Sequence, residues 1–148
     1  HEVADTEGVN AITGAGKLLA EIPPQAWAIV TSADRPLARA RLQEAGLPIP
    51  ALMICAEDVQ QGKPDPAPYV AAARQIGCPA NRCVVVEDAP AGVTAGRRAG
   101  MRVIGVGATY SQKTLHEAGA TVVVDRLEHL EVEAAVTDFR MVIQAQTV

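Results

Sequence analysis

Apolar and polar positions alternate along the chain with two different periods. Short apolar runs, several of them rich in β-branched residues, are separated by longer Ala-rich segments and lie at residues 26–30, 51–55, 83–86, 102–106 and 121–124. Continuous runs of this length are typical of strands buried on both faces, whereas the longer segments have the spacing of amphipathic helices. The pattern therefore predicts repeated βα units, a parallel sheet and helices on both of its faces.

Five helices are expected between these strands, and glycine and proline mark their ends. We place the helices at residues 14–21, 35–45, 66–76, 90–99 and 112–118. Gly46, Gly77 and Gly100 each follow one of them, where a residue in the left-handed conformation ends a helix. Pro66 and Pro90 each open one, because a first helical turn leaves the backbone N–H unbonded anyway.

The pattern changes near the end of the chain. Residues 131–136 and 139–146 alternate apolar and polar positions on either side of Thr137 and Asp138. Two alternating segments joined by two residues are typical of a hairpin, so a C-terminal β-hairpin is expected. A chain of 148 residues can bury one hydrophobic core, and we expect residues 1–148 to form a single domain.

Charge and cysteine content narrow the class of protein. The formal net charge is −4 with mixed signs, which gives no broad cationic surface, so neither nucleic acid nor a membrane is an expected partner. Cys55, Cys78 and Cys83 contain no C-x-x-C pair and lie on apolar segments. This usage favours buried, reduced thiols and a cytoplasmic protein.

Thr31 and Ser32 directly follow the first predicted strand. Ligands of open α/β sheets bind beyond the carboxyl ends of the strands, and hydroxyl and N–H groups at the start of a helix favour an anion there. The alternative is that Thr31, Ser32 or Asp34 caps the helix beginning near Arg35, because these residue types are the preferred N-caps.

Lys63 stands between Gly62 and a rigid Pro-Asp-Pro segment. An ammonium group held in such a stiff frame can bind a phosphoryl oxygen and neutralise its charge during transfer. Most lysines are simply solvated at the surface, which is the alternative here. The Gly-Lys-Pro-Asp-Pro context favours the phosphate-binding interpretation.

Glu87 and Asp88 follow three consecutive valines. Two adjacent carboxylates at the end of a buried strand need a cation or a set of hydrogen-bond donors, because unpaired buried charge is costly. Mg²⁺ takes one or two carboxylates and completes its shell with water and substrate phosphate. The alternative is an N-cap for the helix that opens at Pro90.

Taken together, these three segments resemble motifs two, three and four of the haloacid dehalogenase (HAD) superfamily, nearest to its sugar-phosphatase-like branch. The resemblance extends from about residue 14 to residue 125 and rests on phrases such as 27–32 and 87–93. It implies a Rossmann-like core, Mg²⁺ as cofactor and small phosphate esters as substrates. It also implies that Thr31 and Ser32 bind phosphate oxygens, that Lys63 orients nucleophile and phosphate, and that Asp88, with Glu87 beside it, holds the metal.

The family's first motif has no counterpart in the sequence. Its nucleophile lies in an Asp-x-Asp segment, and no two aspartates are two residues apart in this chain. Asp5 is the one substitute near the amino end, but no apolar strand precedes it. We therefore expect a phosphatase lineage that is truncated at the N-terminus and inactive as this chain alone. It would be a fragment, a natural short form or half of a split protein, with residues 1–12 as a linker or the remnant of a cap.

The rival interpretation is a non-catalytic binding module. Under either interpretation, the family resemblance places the missing strand between the strand ending at Thr31 and the strand ending at Glu87. Each backbone group left unpaired there would cost roughly 1–3 kcal/mol, against a net stability of only ~5–15 kcal/mol. Either the two strands close up and pair directly, or another strand fills the gap. The candidate donors are residues 139–146 and the amino-terminal arm, from the same chain or from a second copy in a homo-oligomer, or else a complementing chain.

Overall fold

The computed structural model describes residues 15–126 and the backbone of residues 140–144. Its five helices in this part of the chain are α1 (Ala15–Glu21), α2 (Arg35–Glu44), α3 (Ala67–Ile76), α4 (Pro90–Arg98) and α5 (Gln112–Ala118). The strands are β1 (Trp27–Val30), β2 (Met53–Ile54), β3 (Cys83–Glu87), β4 (Arg102–Val106), β5 (Val122–Val124) and β6 (Arg140–Gln144). Each predicted helix is present to within a residue or two at its ends.

The strands form a six-stranded sheet in the order β2-β1-β6-β3-β4-β5, and every neighbouring pair is parallel. This confirms the predicted α/β class. Strand β2 is shorter than residues 51–55, because Cys55 is already the N-cap of a 3-10 turn at Ala56–Asp58. Two further 3-10 turns, Pro24–Ala26 and Ala80–Arg82, precede β1 and β3 and were not predicted, since a single turn carries too little periodicity.

Helices cover both faces of the sheet, as the unbroken apolar runs predict. Neighbouring strand residues point to opposite faces, so Ile29 packs with α1 and α2 while Val30 packs with α3, α4 and α5. Val86 and Val85 divide in the same way on β3. A strand with an apolar core on each side has no polar positions until it ends, and this places the first polar side chains at the sheet's edge.

Strand β6 corrects one expectation and confirms another. Its segment was predicted as the second arm of a hairpin, but Val142 pairs in parallel with Ala28 on β1 and with Val85 on β3, so both edges of β6 are occupied. The slot between β1 and β3 offers two hydrogen-bonded ladders, whereas a hairpin offers one. The gap is thus filled by the C-terminal segment, as one of the predicted alternatives required. The other hairpin arm (131–136), the turn at 137–138 and the amino-terminal segment 1–12 lie outside the described residues.

The chain leaves the sheet's centre in two directions. From β1 it runs through α2 to β2, and from β3 it runs the opposite way through α4 to β4. Such a reversal opens a crevice at the carboxyl ends of the central strands, where open α/β sheets bind ligands. Thr31 and the Glu87–Asp88 pair border this crevice. In the described part of the chain, none of the helices is long and apolar enough to span a membrane.

Candidate functional site

Lys63 lies inside the crevice and is not a solvated surface lysine. Its Nζ donates to Glu87 Oε1 at 2.7 Å and to the carbonyl of Val30 at 3.2 Å, and its side chain is only 7% exposed. The same nitrogen lies 5.3 Å from the centroid of the Tyr69 ring. An ammonium group has three N–H donors, so these two hydrogen bonds leave one for a ligand.

Glu87 is fully buried and is held by protein groups on both carboxylate oxygens. Oε1 accepts from Lys63 Nζ and, at 2.6 Å, from the Tyr69 hydroxyl. Oε2 accepts from the backbone N–H groups of Asp88 at 3.2 Å and Ala89 at 3.3 Å. The sequence predicted a cation or a set of donors for this carboxylate, and the structure has both: Lys63 is the cation, and the Tyr69 hydroxyl and two N–H groups are the donors.

Tyr69 donates to Glu87 from the first turn of α3. Burial, and after it the negative charge of Glu87, raises the pKa of Tyr69 well above its usual value, so its hydroxyl stays protonated and remains a donor. Sequence reasoning missed this residue. Its one signal was an aromatic side chain on the apolar face of an Ala-rich helix, which predicts burial but not a hydrogen-bond partner.

Asp88 has a different environment from its neighbour. Its carboxylate accepts one side-chain hydrogen bond, a long one of 3.4 Å from the Thr109 hydroxyl in the loop after β4. Burial, and next the charge of Glu87, raises the pKa of Asp88, while its own backbone N–H, then the Thr109 hydroxyl and the charge of Lys63, oppose the shift. Thr109 was also missed, because only the parallel pairing of β3 and β4 brings this loop beside Asp88.

Thr31, Ser32 and Asp34 separate into different roles after β1. Asp34 is the N-cap of α2, where its Oδ1 accepts from the Leu37 N–H at 2.9 Å. Thr31 is buried and its Oγ1 accepts from the N–H of Ala33 at 3.1 Å, so its own O–H remains a donor for a ligand. Ser32 is exposed. The capping alternative therefore holds for Asp34 alone.

The cysteines contribute no nucleophile to the crevice. Cys55 and Cys83 are buried, Cys78 is half-buried, and none of the three forms a disulfide. Burial raises the pKa of Cys55 from 9.0 to about 11, which keeps it in the unreactive thiol form near neutral pH.

The carboxylates of the crevice do not form a closed metal site. Among the described residues, no group of three or more His, Cys, Asp or Glu side chains is placed to hold a metal ion. Both oxygens of Glu87 are already hydrogen-bonded within the protein, which leaves Asp88 as the carboxylate at the end of β3 that could bind a cation. A Mg²⁺ ion there would need water or a ligand's phosphate for its other positions.

Comparison with known proteins agrees with the sequence resemblance. The family model of haloacid dehalogenase-like hydrolases matches residues 7–100. Hexitol phosphatase A of Escherichia coli is 44% identical over 133 residues, which cover 88% of this chain and 61% of that protein. Glycerol-1-phosphate phosphohydrolase 2 of Saccharomyces cerevisiae is 37% identical over 131 residues, covering 82% of this chain and 52% of that enzyme.

The fold has solved counterparts as well. A HAD family hydrolase from Deinococcus radiodurans, determined with bound phosphate and sodium, has a TM-score of 0.75 and 30% identity, with coverage of 81% of this chain and 57% of that structure. This chain thus spans 61%, 52% and 57% of the length of these three proteins. The family match, the relatives and the fold agree, and the chain belongs to the haloacid dehalogenase-like hydrolases, in a phosphatase lineage.

Proposed function

We propose that this chain provides the phosphate-binding part of a phosphatase that acts on small phosphate esters such as sugar phosphates. The proposal rests chiefly on the environment of the Lys63 side chain. It is buried, hydrogen bonds to Glu87 and Val30 fix its position, and one of its N–H donors remains for a ligand. A buried cation with a spare donor at the carboxyl edge of a parallel sheet is suited to an anionic ligand.

Thr31 and Ser32 complete the proposed anion site. Thr31 directly follows Val30, whose carbonyl accepts from Lys63, so both residues lie at the carboxyl end of β1. Ser32 is the exposed residue next to it and would contact the outer part of the ligand. The phosphate esters named in the relatives, hexitol and glycerol phosphates, are the substrate class we propose for the complete enzyme.

Titration with inorganic phosphate, followed by NMR chemical shifts, tests this anion site. Thr31→Val removes one donor to the anion, and we expect affinity to fall about tenfold, the loss of a charged hydrogen bond. Thr94→Val is the matched control, because Thr94 donates to the carbonyl of Ala118 instead. Equal phosphate affinity in the two variants would overturn the assignment of Thr31.

We further propose that the chain alone does not hydrolyse phosphate esters. Covalent transfer to a carboxylate needs a nucleophile beside the phosphate, and the sequence contains no Asp-x-Asp segment. Incubation with a chromogenic phosphate ester and Mg²⁺ should give turnover no higher than background. Mg²⁺-dependent turnover that disappears in Asp88→Asn would contradict this and would indicate a substitute nucleophile.

Divalent cations should bind weakly and through Asp88. We propose Asp88 as the metal ligand and assign Glu87 to Lys63, because Glu87 has no oxygen without a protein donor. Mn²⁺ relaxation measurements should detect weak binding that Asp88→Asn abolishes and that Asp125→Asn, at the end of the edge strand, leaves intact. Unchanged binding in Asp88→Asn would place the cation elsewhere.

A further inference from the structure

We propose that Tyr69 is a positioning residue of the anion site: its hydroxyl, together with the space left by Gly92, holds Glu87 so that Lys63 keeps one donor for phosphate. This inference rests on the proposed function, since it concerns how the same ammonium group is made available. Neither Tyr69 nor Gly92 is expected to touch the ligand. Their effect passes through Glu87.

Glu87 is fixed by groups from separate parts of the chain. Lys63 comes from the loop before α3, Tyr69 from α3 itself, and the two backbone N–H groups from the turn between β3 and α4. In each hydrogen bond described for the carboxylate, the carboxylate is the acceptor. A carboxylate held from several directions cannot rotate to meet Lys63 with both oxygens.

Gly92 supplies the space in which this carboxylate lies. A Cβ built at Gly92 would be 1.7 Å from Glu87 Oε1 and 1.9 Å from its carboxyl carbon. Real Cβ atoms do not approach this closely, so any residue other than glycine at position 92 would displace the Glu87 side chain. Displacement would break the hydrogen bonds from Lys63 and Tyr69 together.

The Tyr69 hydroxyl has an effect that its ring does not have. The ring lies against Lys63 Nζ, and a phenylalanine would keep that contact. The hydroxyl shares Oε1 with Lys63, so the negative charge of this oxygen is divided between two donors. Without the hydroxyl, Oε1 would keep more of its negative charge beside Lys63, and the ammonium group would attract a phosphate oxygen less strongly.

Tyr69→Phe therefore tests the inference directly, with Tyr110→Phe as its control because Tyr110 is 45% exposed. Titration with inorganic phosphate should show about tenfold weaker affinity in Tyr69→Phe, equivalent to one charged hydrogen bond. The control should bind like the unmodified chain. The 15N signal of the Lys63 ammonium group, recorded without phosphate, should shift in Tyr69→Phe and stay unchanged in Tyr110→Phe.

Gly92→Ala provides a second variant with a larger expected effect. Its control is Gly16→Ala, because a Cβ at Gly16 meets only Leu47, at 3.9 Å. Gly92→Ala should lose more phosphate affinity than Tyr69→Phe and shift the Lys63 signal further. The losses of phosphate affinity in the two variants should then follow how far each substitution displaces Glu87.

The outcomes separate this inference from the proposed function. If the unmodified chain binds no inorganic phosphate, the proposed function fails, and the Lys63 signal alone decides whether Tyr69 positions it. If phosphate binds and Tyr69→Phe changes neither affinity nor the Lys63 signal, the inference is overturned while the anion site stands. A shifted signal with unchanged affinity also overturns it, because the hydroxyl would then not govern the donor that phosphate uses.

Discussion

The last residue of β3 and the residue after it carry carboxylates with opposite environments. Glu87 is buried among four hydrogen-bond donors, one of which is a buried ammonium group. Asp88 is nearly as buried, but its one side-chain partner is a hydroxyl at 3.4 Å, and burial raises its pKa. The two adjacent carboxylates are thus similarly buried, but they differ in how many hydrogen-bond and charged partners they have.

This difference indicates how the crevice divides its tasks. A carboxylate that is already paired with a cation and hydrogen-bonded on both oxygens gains little from a ligand. A buried carboxylate with few hydrogen-bond donors gains much more. Glu87 therefore belongs to the frame of the site and Asp88 to its binding surface. The four predictions below test this division, beginning with the largest expected effect.

Removing the cation beside Glu87 should be strongly destabilising. Lys63→Met leaves a buried carboxylate without a charged partner, which typically lowers the free energy of unfolding by about 3–5 kcal/mol. Urea denaturation measures this loss. Lys113→Met removes an exposed lysine paired loosely with Glu117 and should change stability by less than about 0.5 kcal/mol. Adding Glu87→Gln to Lys63→Met should recover part of the loss; a purely additive double variant would argue against coupling.

The central part of the sheet, which positions both Glu87 and Asp88, can be disrupted without substituting either residue. Val142→Pro removes a ladder N–H from β6 between β1 and β3 and should cost about 3 kcal/mol or more. Val122→Pro is the control, because Val122 opens the edge strand β5, where proline is tolerated. Similar urea midpoints for the two variants would show that β6 is not needed at the sheet's centre.

Neutralising the under-satisfied carboxylate should stabilise the fold. Asp88→Asn, measured with a chelator present, should raise the free energy of unfolding at pH 7 by about 1 kcal/mol, since a poorly paired buried charge is removed. The folded-state pKa of Asp88 is raised, so the wild type gains stability as the pH falls through that pKa. The two proteins should therefore converge below the ordinary value of 3.8.

Asp34→Asn is the control for this substitution. Asparagine caps a helix about as well as aspartate, so this variant should differ little in stability from the unmodified chain at pH 7. A destabilised Asp88→Asn at pH 7 would mean that Asp88 is better satisfied than its single hydroxyl partner indicates.

The smallest expected effect is on the titration of Asp88 itself. Thr109→Val removes the hydroxyl that opposes the pKa shift, so the pKa of Asp88 should rise further. Carboxyl 13C NMR during a pH titration measures it, and stability should change by less than about 1 kcal/mol. Thr94→Val, whose hydroxyl bonds to Ala118, should leave the Asp88 titration where it was.

Local patterns were sufficient for much of the fold. The apolar runs predicted the strands β1 and β3 because both faces of each strand meet a core. The glycine signals also held: Gly77 is the C-cap of α3, Gly100 lies two residues beyond the end of α4, and both have positive φ. The hairpin failed because an alternating pattern specifies a strand but not its neighbours. Which ladder a strand joins depends on free edges elsewhere in the chain.

The sequence by itself determined where the charged and hydroxyl groups would lie. Thr31, Lys63, Glu87 and Asp88 stand where strands end or a rigid turn begins, and parallel strands bring such ends to one edge. Only the tertiary structure decided their partners. Lys63 comes from the loop before α3, Tyr69 from α3 and Thr109 from the loop after β4, and packing brings each of them beside Glu87 or Asp88. The apolar pattern of a strand is set by residues that are neighbours in sequence, whereas the hydrogen-bond partners of a buried charge are groups that packing brings close.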